Sequence, residues 1–489
     1  MTPAYATLAL VTDVDPSSSG PRDAHEPALT ADDLARLTGG RLEARSDRPI
    51  RGAAVDSRSV EPGNLFVALP GERTDGHAFI GEAIAAGAAA IIVTRPVAVD
   101  LDLGDVTVVR AVDPVAALGA VAAGWRRRFD PLVVGVTGSI AKTSAKEAIA
   151  ATLAPRLRTL RNDGNQNNEI GLPLTLLRLG PEHEAAVLEM GMYVGGEIAD
   201  LAAMAAPRIG VVTAVQPVHL SRIGSLEAIE AAKGELLEAL PADGTAILNA
   251  DDPIVRRMGD RTVARTLTFG FDPDAHVRAV SVTSAGLDGM RFEARIDGAH
   301  RAITIPTLGR LSVHNALAGL AVGRAAGLSF DDMAEGLAAG WTAPHRAQPV
   351  RLGGVTLIDD TYNASPRSVI AALELLAGLP GRRAAVLGEM LELGESSEAG
   401  HRVVGEAAAR TLDWLVVVGD GAAGIAAGAE AAGMDVSRII RVSDPDVAVE
   451  VIPPRLRDGD VVLLKASRGV ALERVVDGLR SELGGDSPR

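Results

Sequence analysis

The sequence predicts an α/β protein of three domains, with parallel sheets in the second and third. Three observations lead there. The chain has 489 residues, 47% hydrophobic and 23% charged, a globular composition long enough for about three domains of ordinary size. Short apolar runs with strand composition alternate with longer helical segments, the pattern of β–α units. One of those units, Gly135–Thr143, is a strand, a small-residue turn and a helix start in direct succession.

Residues 1–28, opening MTPAYATLALVTDVDPSSSG, are expected to form a flexible tail; a briefly apolar stretch without a basic leader argues against a secretory signal. Residues 29–128 are read as a small first α/β domain, with a strand at Asn64–Leu69, a helix around Ile80–Ala86 and a buried, proline-closed strand in AAAIIVTRP. Residues 129–341 are read as the second. There PLVVGVTGS is a strand running into a Gly/Ser turn, KTSAKEAIAATLA a helix, and EAAVLEM and RIGVVTAV further strands, so the sheet is expected to be parallel. In GWTAPHRAQPV, Pro344 and Pro349 are expected to mark a linker into the third domain, 342–489. VTLIDD, RAAVLGEM, WLVVVGD and DVVLLKAS then read as buried strands of a Rossmann-like domain.

Charge and composition exclude several functions. The net charge of −15 is spread along the chain, which argues against a nucleic-acid surface. No apolar run approaches the roughly 20 residues needed to cross a bilayer, so no membrane span is expected. Without cysteine there is no disulfide and no thiolate chemistry, and any metal must sit on oxygen or imidazole. That composition fits a reduced cytoplasm.

The strongest local signal is Gly135-Val-Thr-Gly-Ser-Ile-Ala-Lys-Thr143. Backbone N–H groups of such a turn, with the helix N-terminus, hold phosphate oxygens, while a lysine neutralises charge and a hydroxyl ligates magnesium. Lys142 and Thr143 take those places, and a plain strand-to-helix turn is the alternative. Glu189 closes the strand EAAVLEM, and His219 follows RIGVVTAVQP. Ligands bind at the carboxyl ends of strands in doubly wound sheets, so Thr143, Glu189 and His219 could meet in one crevice. Lys233 lies on a helix whose stripe is Leu226, Ile229, Leu236 and Leu240, with Ser225 as N-cap. It points with that stripe, either snorkelling or buried and open to modification. Ile358-Asp-Asp-Thr-Tyr-Asn-Ala-Ser-Pro366 could hold ribose hydroxyls and stack a base, or could equally cap a helix entered by Pro366. Lys465 and Arg468 suit a carboxylate or phosphate, or plain salt bridges.

Together these segments resemble the Mur ligases, and within them the branch that adds the dipeptide D-alanyl-D-alanine. The likeness runs from about Leu29 to Leu479 and rests on Asp56-Ser-Arg58 with PGNLFVALPGERTDGHAF, then TGSIAKTSAKE, GNQNNEIGLPL, LEMGM, AKGEL, DDTYNASP, LGEMLELGE and KASRG. The resemblance implies an N-terminal domain for a UDP-linked substrate, a central ATPase of P-loop type and a Rossmann-like C-terminal ligase domain. It implies ATP and Mg2+, with UDP-N-acetylmuramoyl-tripeptide and D-alanyl-D-alanine as substrates, a cytoplasmic location and a monomer.

Residue by residue, the likeness implies that Thr137, Gly138, Ser139, Ile140, Ala141, Lys142, Thr143 and Ser144 hold the ATP phosphates. Asn315 would meet adenine, Asp360 the ribose and Arg346 the phosphates, with Tyr362 and Asn363 beside the nucleotide. Thr143, Glu189 and His219 would ligate magnesium, supported by Lys233 as a carbamate. Lys142, Lys233, His219, Glu189 and Arg346 form the implied catalytic set, while Ser57, Arg58, Asn167 and Asn168 would face the UDP-substrate. Ile140 and Ala141 depart from the usual pair before the lysine, Leu311 from a frequent histidine and Ala466 from a common glycine. Ordinary helical dihedrals are expected at Ala141, where alanine costs little. The competing readings are a ligase for a single amino acid or for glutamate on folate, and a scaffold without turnover.

Overall fold

The computed structural model describes residues 27–71, 74–98, 101–216 and 224–484. His219 and nearly all of the proposed tail lie outside them. The described strands form three sheets, of five, nine and six strands, so the α/β class with three sheet-bearing regions stands. By spatial clustering the chain forms two compact units. One comprises residues up to Val133 with Arg158–Met190 and Ala199–Pro207; the other comprises Val134–Leu157, Gly191–Ile198 and Arg208–Arg489.

In the first unit Ala90–Val93 lies inside a five-stranded sheet, parallel to Leu65–Val67 and to Thr107–Arg110. Its four side chains are buried, which is why AIIV shows no polar alternation. Asp113 caps the helix Pro114–Arg126 through the N–H groups of Val115 and Ala116, and Pro114 takes the first turn, where its missing donor is not needed. A parallel pair, Thr159–Arg161 with Ala185–Glu189, completes this unit's strands.

In the second unit Ile209–Val212 pairs in parallel with residues 134–137 of the strand Leu132–Thr137 on one side and Thr245–Asn249 on the other. Arg265–Gly270 and Val277–Ser284 extend the parallel run. Met290–Ile296 and Ala299–Ile305 then add an antiparallel meander. Sequence reading did not anticipate that meander.

The six-stranded sheet runs Gln348–Leu352, Val355–Asp359, Val461–Lys465, Arg383–Gly388, Trp414–Val418, Ile439–Val442. Successive residues feed opposite faces. Leu415, Val417 and Leu463 pack under the helices Pro366–Ala377, Ser397–Thr411 and Ala423–Ala431. Val416, Val418 and Leu464 pack with residues of Pro445–Val451 and Glu473–Leu483. Cover on both faces is the Rossmann-like arrangement expected. The linker expectation needs one correction: Pro349 sits in a strand, Gln348–Leu352, antiparallel to Val355–Asp359. It is an edge strand, where a residue without an N–H is tolerated.

Candidate active site

The turn between Leu132–Thr137 and the helix Lys142–Leu153 is braced at every residue. Gly138 has φ 148°, and a Cβ there would lie 2.0 Å from Thr213 Oγ1, so only glycine fits. Ser139 donates its N–H to Ala214 O at 2.7 Å, and its hydroxyl donates to Gln216 O and accepts from Gln216 N–H. Thr213 donates its hydroxyl to Ile140 O at 2.6 Å. Lys142 Nζ donates to Gly138 O at 2.8 Å, which folds the ammonium back across the turn. The first turn of a helix presents N–H groups and the positive end of its dipole, an anion site by construction.

Ala141 departs from expectation. It is the residue before the helix and stands at φ 64°, ψ 4°, in the left-handed region and not at helical angles. An L-residue there costs roughly 1–2 kcal/mol relative to the right-handed basin, partly offset for glycine by its larger unfolded-state entropy. Ala141→Gly is therefore expected to stabilise the protein by about 0.5–1 kcal/mol in denaturant unfolding. A destabilised variant would show that the alanine methyl packs usefully.

Thr143 is 6% exposed, and its hydroxyl accepts from Arg346 Nη2 at 3.1 Å. Arg346 also lies over the Tyr362 ring, 4.1 Å from its centroid, and Arg468 lies 5.3 Å from the same ring. Tyr362 therefore seats two guanidinium groups, a different use from the base stacking considered for it. Asp360 accepts from Lys465 Nζ at 2.6 Å and from Ala347 N–H. Lys465 also donates to Asn363 O. The capping alternative for the acidic pair fails, because Ser365 caps the helix Pro366–Ala377 with Ser368 as its reciprocal partner.

Asn315 is 3% exposed on the helix Arg310–Ala325. Its neighbour His314 joins a network that sequence reading missed. His314 Nε2 lies 3.0 Å from Asn249 Oδ1 and 3.4 Å from Asp251 Oδ2, and Asn249 donates to Thr213 O. Burial works to raise the Asp251 pKa, but hydrogen bonds from His314 and from the N–H groups of Phe271 and Asp272 outweigh it and hold it low. The signal was present as AILNADDP, an apolar run ending in an amide and two carboxylates.

Lys233 is 4% exposed on Leu226–Glu238, with Ile229 and Leu236 fully buried on the same stripe and Ser225 accepting from Ala228 N–H as its cap. The amphipathic reading of that helix holds, and of its two readings for Lys233 burial wins over snorkelling.

In the other unit, Glu189 ends its strand at 2% exposure. Asn162, also missed from sequence, accepts from Glu189 N–H and donates to Glu189 O, which fixes the strand end. Asn167 donates to Glu189 Oε1 at 2.7 Å, whereas Glu189 Oε2 is buried with no hydrogen-bond partner. Asn168 accepts from Gly171 N–H and so starts the helix Gly171–Leu176. Ser57 donates to Glu82 Oε2 at 3.0 Å, and Arg58 is exposed and paired with Asp56, holding that carboxyl below its ordinary pKa.

Three family descriptions match the chain: "Mur ligase family, catalytic domain" over residues 49–159, "Mur ligase middle domain" over 136–323 and "Mur ligase, glutamate ligase domain" over 345–468. A UDP-N-acetylmuramoyl-tripeptide–D-alanyl-D-alanine ligase of Synechocystis is 38% identical over 441 residues, 89% of this chain and 93% of that one. The crystal structure of MurF from Acinetobacter baumannii superposes with TM-score 0.83 at 28% identity, covering 93% of this chain and 99% of that one. MurF ligase from Thermotoga maritima, solved in complex with ADP, gives TM-score 0.77 at 32% identity over 89% and 98% of the two chains. The chain belongs to the Mur ligase family.

Proposed function

We propose that this protein is an ATP-dependent ligase that joins D-alanyl-D-alanine to UDP-N-acetylmuramoyl-tripeptide, making the pentapeptide precursor of peptidoglycan. The carrying observation is the braced turn 138–141 with Lys142 folded over it and Arg346 on Thr143. Full-length relatives named for that reaction support the substrates. The domains proposed are 29–128 for the UDP end, 129–341 for ATP and 342–489 for the dipeptide. No described helix is long and apolar enough to cross a membrane; action in the cytoplasm as a monomer is what the family resemblance implies and is part of this proposal.

In the first step a carboxylate oxygen of the tripeptide attacks the γ-phosphorus of ATP, the bond to the β-phosphate oxygen breaks, and ADP leaves. The dipeptide amine then attacks the acyl carbon of the resulting acyl phosphate. A tetrahedral intermediate collapses with loss of inorganic phosphate, and the amine gives up a proton. Lys142, Arg346 and the turn's N–H groups hold the phosphates in line and meet the charge that develops there. Asn315, Asp360, Tyr362 and Asn363 are assigned to the nucleoside end. Ser57, Arg58, Asn167 and Asn168 are assigned to the UDP-substrate.

The residues fit a magnesium ion. Glu189 Oε2 is a buried hard-oxygen donor without a partner, the kind of atom that magnesium takes. By the family resemblance, Thr143 and Glu189 would hold one magnesium and His219 a second, with Lys233 as a carbamate in support. When bound, magnesium neutralises phosphate charge during transfer. The test is phosphate release with both substrates present. We expect one phosphate per dipeptide ligated and almost none without dipeptide; release indifferent to dipeptide would overturn the assignment.

A further inference from the structure

Between the helix Phe330–Ala339 and the edge strand Gln348–Leu352 the backbone passes twice through the left-handed region at non-glycine residues, His345 at φ 59° and Ala347 at φ 50°. Such geometry persists only where the surroundings over-determine it. Here they do. The His345 carbonyl accepts from Tyr362 N–H at 3.2 Å, and Ala347 N–H donates to Asp360 Oδ1 at 3.2 Å. The His345 imidazole places Nδ1 2.8 Å from Oδ2 of Asp359, a residue only 1% exposed. Arg346 sits between these anchors and reaches Thr143.

A glycine would take the backbone at position 345 without strain. Histidine adds what glycine cannot, a cation for a buried carboxylate. We propose that His345, paired with Asp359, is the positioning residue that holds Arg346 at the phosphate turn, and that this hold weakens when the imidazole loses its proton. The proposal rests on the reading of that turn as the ATP site.

The charged groups acting on the imidazole are Asp359 at its strand end and Glu473 and Asp477 on the helix Glu473–Leu483. The hydrogen bond from Asp359 is the largest influence, and with these charges it overcomes burial to raise the His345 pKa. A raised pKa means that the pair is complete at and below the ordinary histidine range and is lost as pH climbs through the raised value. Burial pushes Asp359 the other way, but His345 and Thr361 outweigh it and keep the carboxylate ionised.

Calorimetric titration of the full chain with ATP and magnesium, from about pH 6.5 to about pH 9, tests this. Wild-type affinity is expected to fall about tenfold as pH rises, one decade for a weakened phosphate contact. His345→Ala should bind about tenfold more weakly at the low end and show no slope. His345→Asn keeps a neutral donor, tolerates the left-handed backbone and does not titrate, so it should bind like the deprotonated wild type, with the weaker high-pH affinity at every pH and no slope. A purely structural histidine would lower the melting temperature of both variants and leave the slope intact. An Asn variant that titrates like wild type, or an Ala variant with wild-type affinity at every pH, overturns the proposal. A wild-type chain that binds no ATP at any pH overturns instead the nucleotide reading of the turn.

Discussion

Glu189→Gln is expected to lower kcat/KM for ATP by about a thousandfold, equivalent to about 4 kcal/mol of transition-state stabilisation, while the protein still folds. The substitution keeps the side-chain volume, and the amide oxygen can still accept from Asn167 as Oε1 does at 2.7 Å. What changes is the other oxygen. Glu189 Oε2 is buried without a partner, an arrangement that costs about 1–3 kcal/mol unless a donor or cation is supplied. Gln can place an N–H group there, which points positive hydrogens at a cation and cannot ligate it. A raised magnesium requirement should therefore accompany the slower turnover. Rates and magnesium dependence equal to wild type would remove Glu189 from the metal site. A protein that melts far below wild type would show instead that the carboxylate serves the strand end, a role the structure gives chiefly to Asn162.

That prediction draws on contacts that no local pattern in the sequence encodes. The strands of the six-stranded sheet could be read because they are buried on both faces, so VVLLK and WLVVV are uninterrupted apolar runs. Met290–Ile296 carries the alternation of a half-buried strand, MRFEARI setting four apolar against three charged residues, and was missed because only continuous apolar runs were read as strands. Pro349 misled because proline more often marks a break than an edge strand. In the site, the phosphate turn was legible since strand, turn and helix follow one another in nine residues, 135–143. The geometry at Ala141 was not, because helix propensity says nothing of the residue that turns the chain into the helix. The contact of Arg346 with Thr143 spans 203 residues and that of Asn167 with Glu189 spans 22, so both follow from the fold alone. His345 and Asp359 were invisible for the same reason, since a lone histidine beside a linker arginine carries no periodic signal.

Lys233→Ala is expected to lose about a thousandfold in turnover and to regain part of it with added formate or acetate. The lysine is 4% exposed between Ile229 and Leu236, on the apolar stripe of its helix. In carbamate formation the lysine Nζ, once it has given up its ammonium proton, is the nucleophile. It can attack carbon dioxide, form an N–C bond and release a proton, which leaves a carbamate with one negative charge in place of one positive charge. Such a group is a pair of hard oxygens suited to magnesium and to its bound waters. Alanine leaves space where the stem stood, and a small carboxylate can supply from solution the oxygens proposed for the carbamate. Removing dissolved carbon dioxide should slow the wild type, bicarbonate should restore it, and the alanine variant should respond to neither. If Lys233→Ala turns over at the wild-type rate, the carbamate is not part of the site. Rescue by carboxylates but not by chloride at equal ionic strength separates the loss of two oxygens from a general effect of salt or packing on the helix Leu226–Glu238.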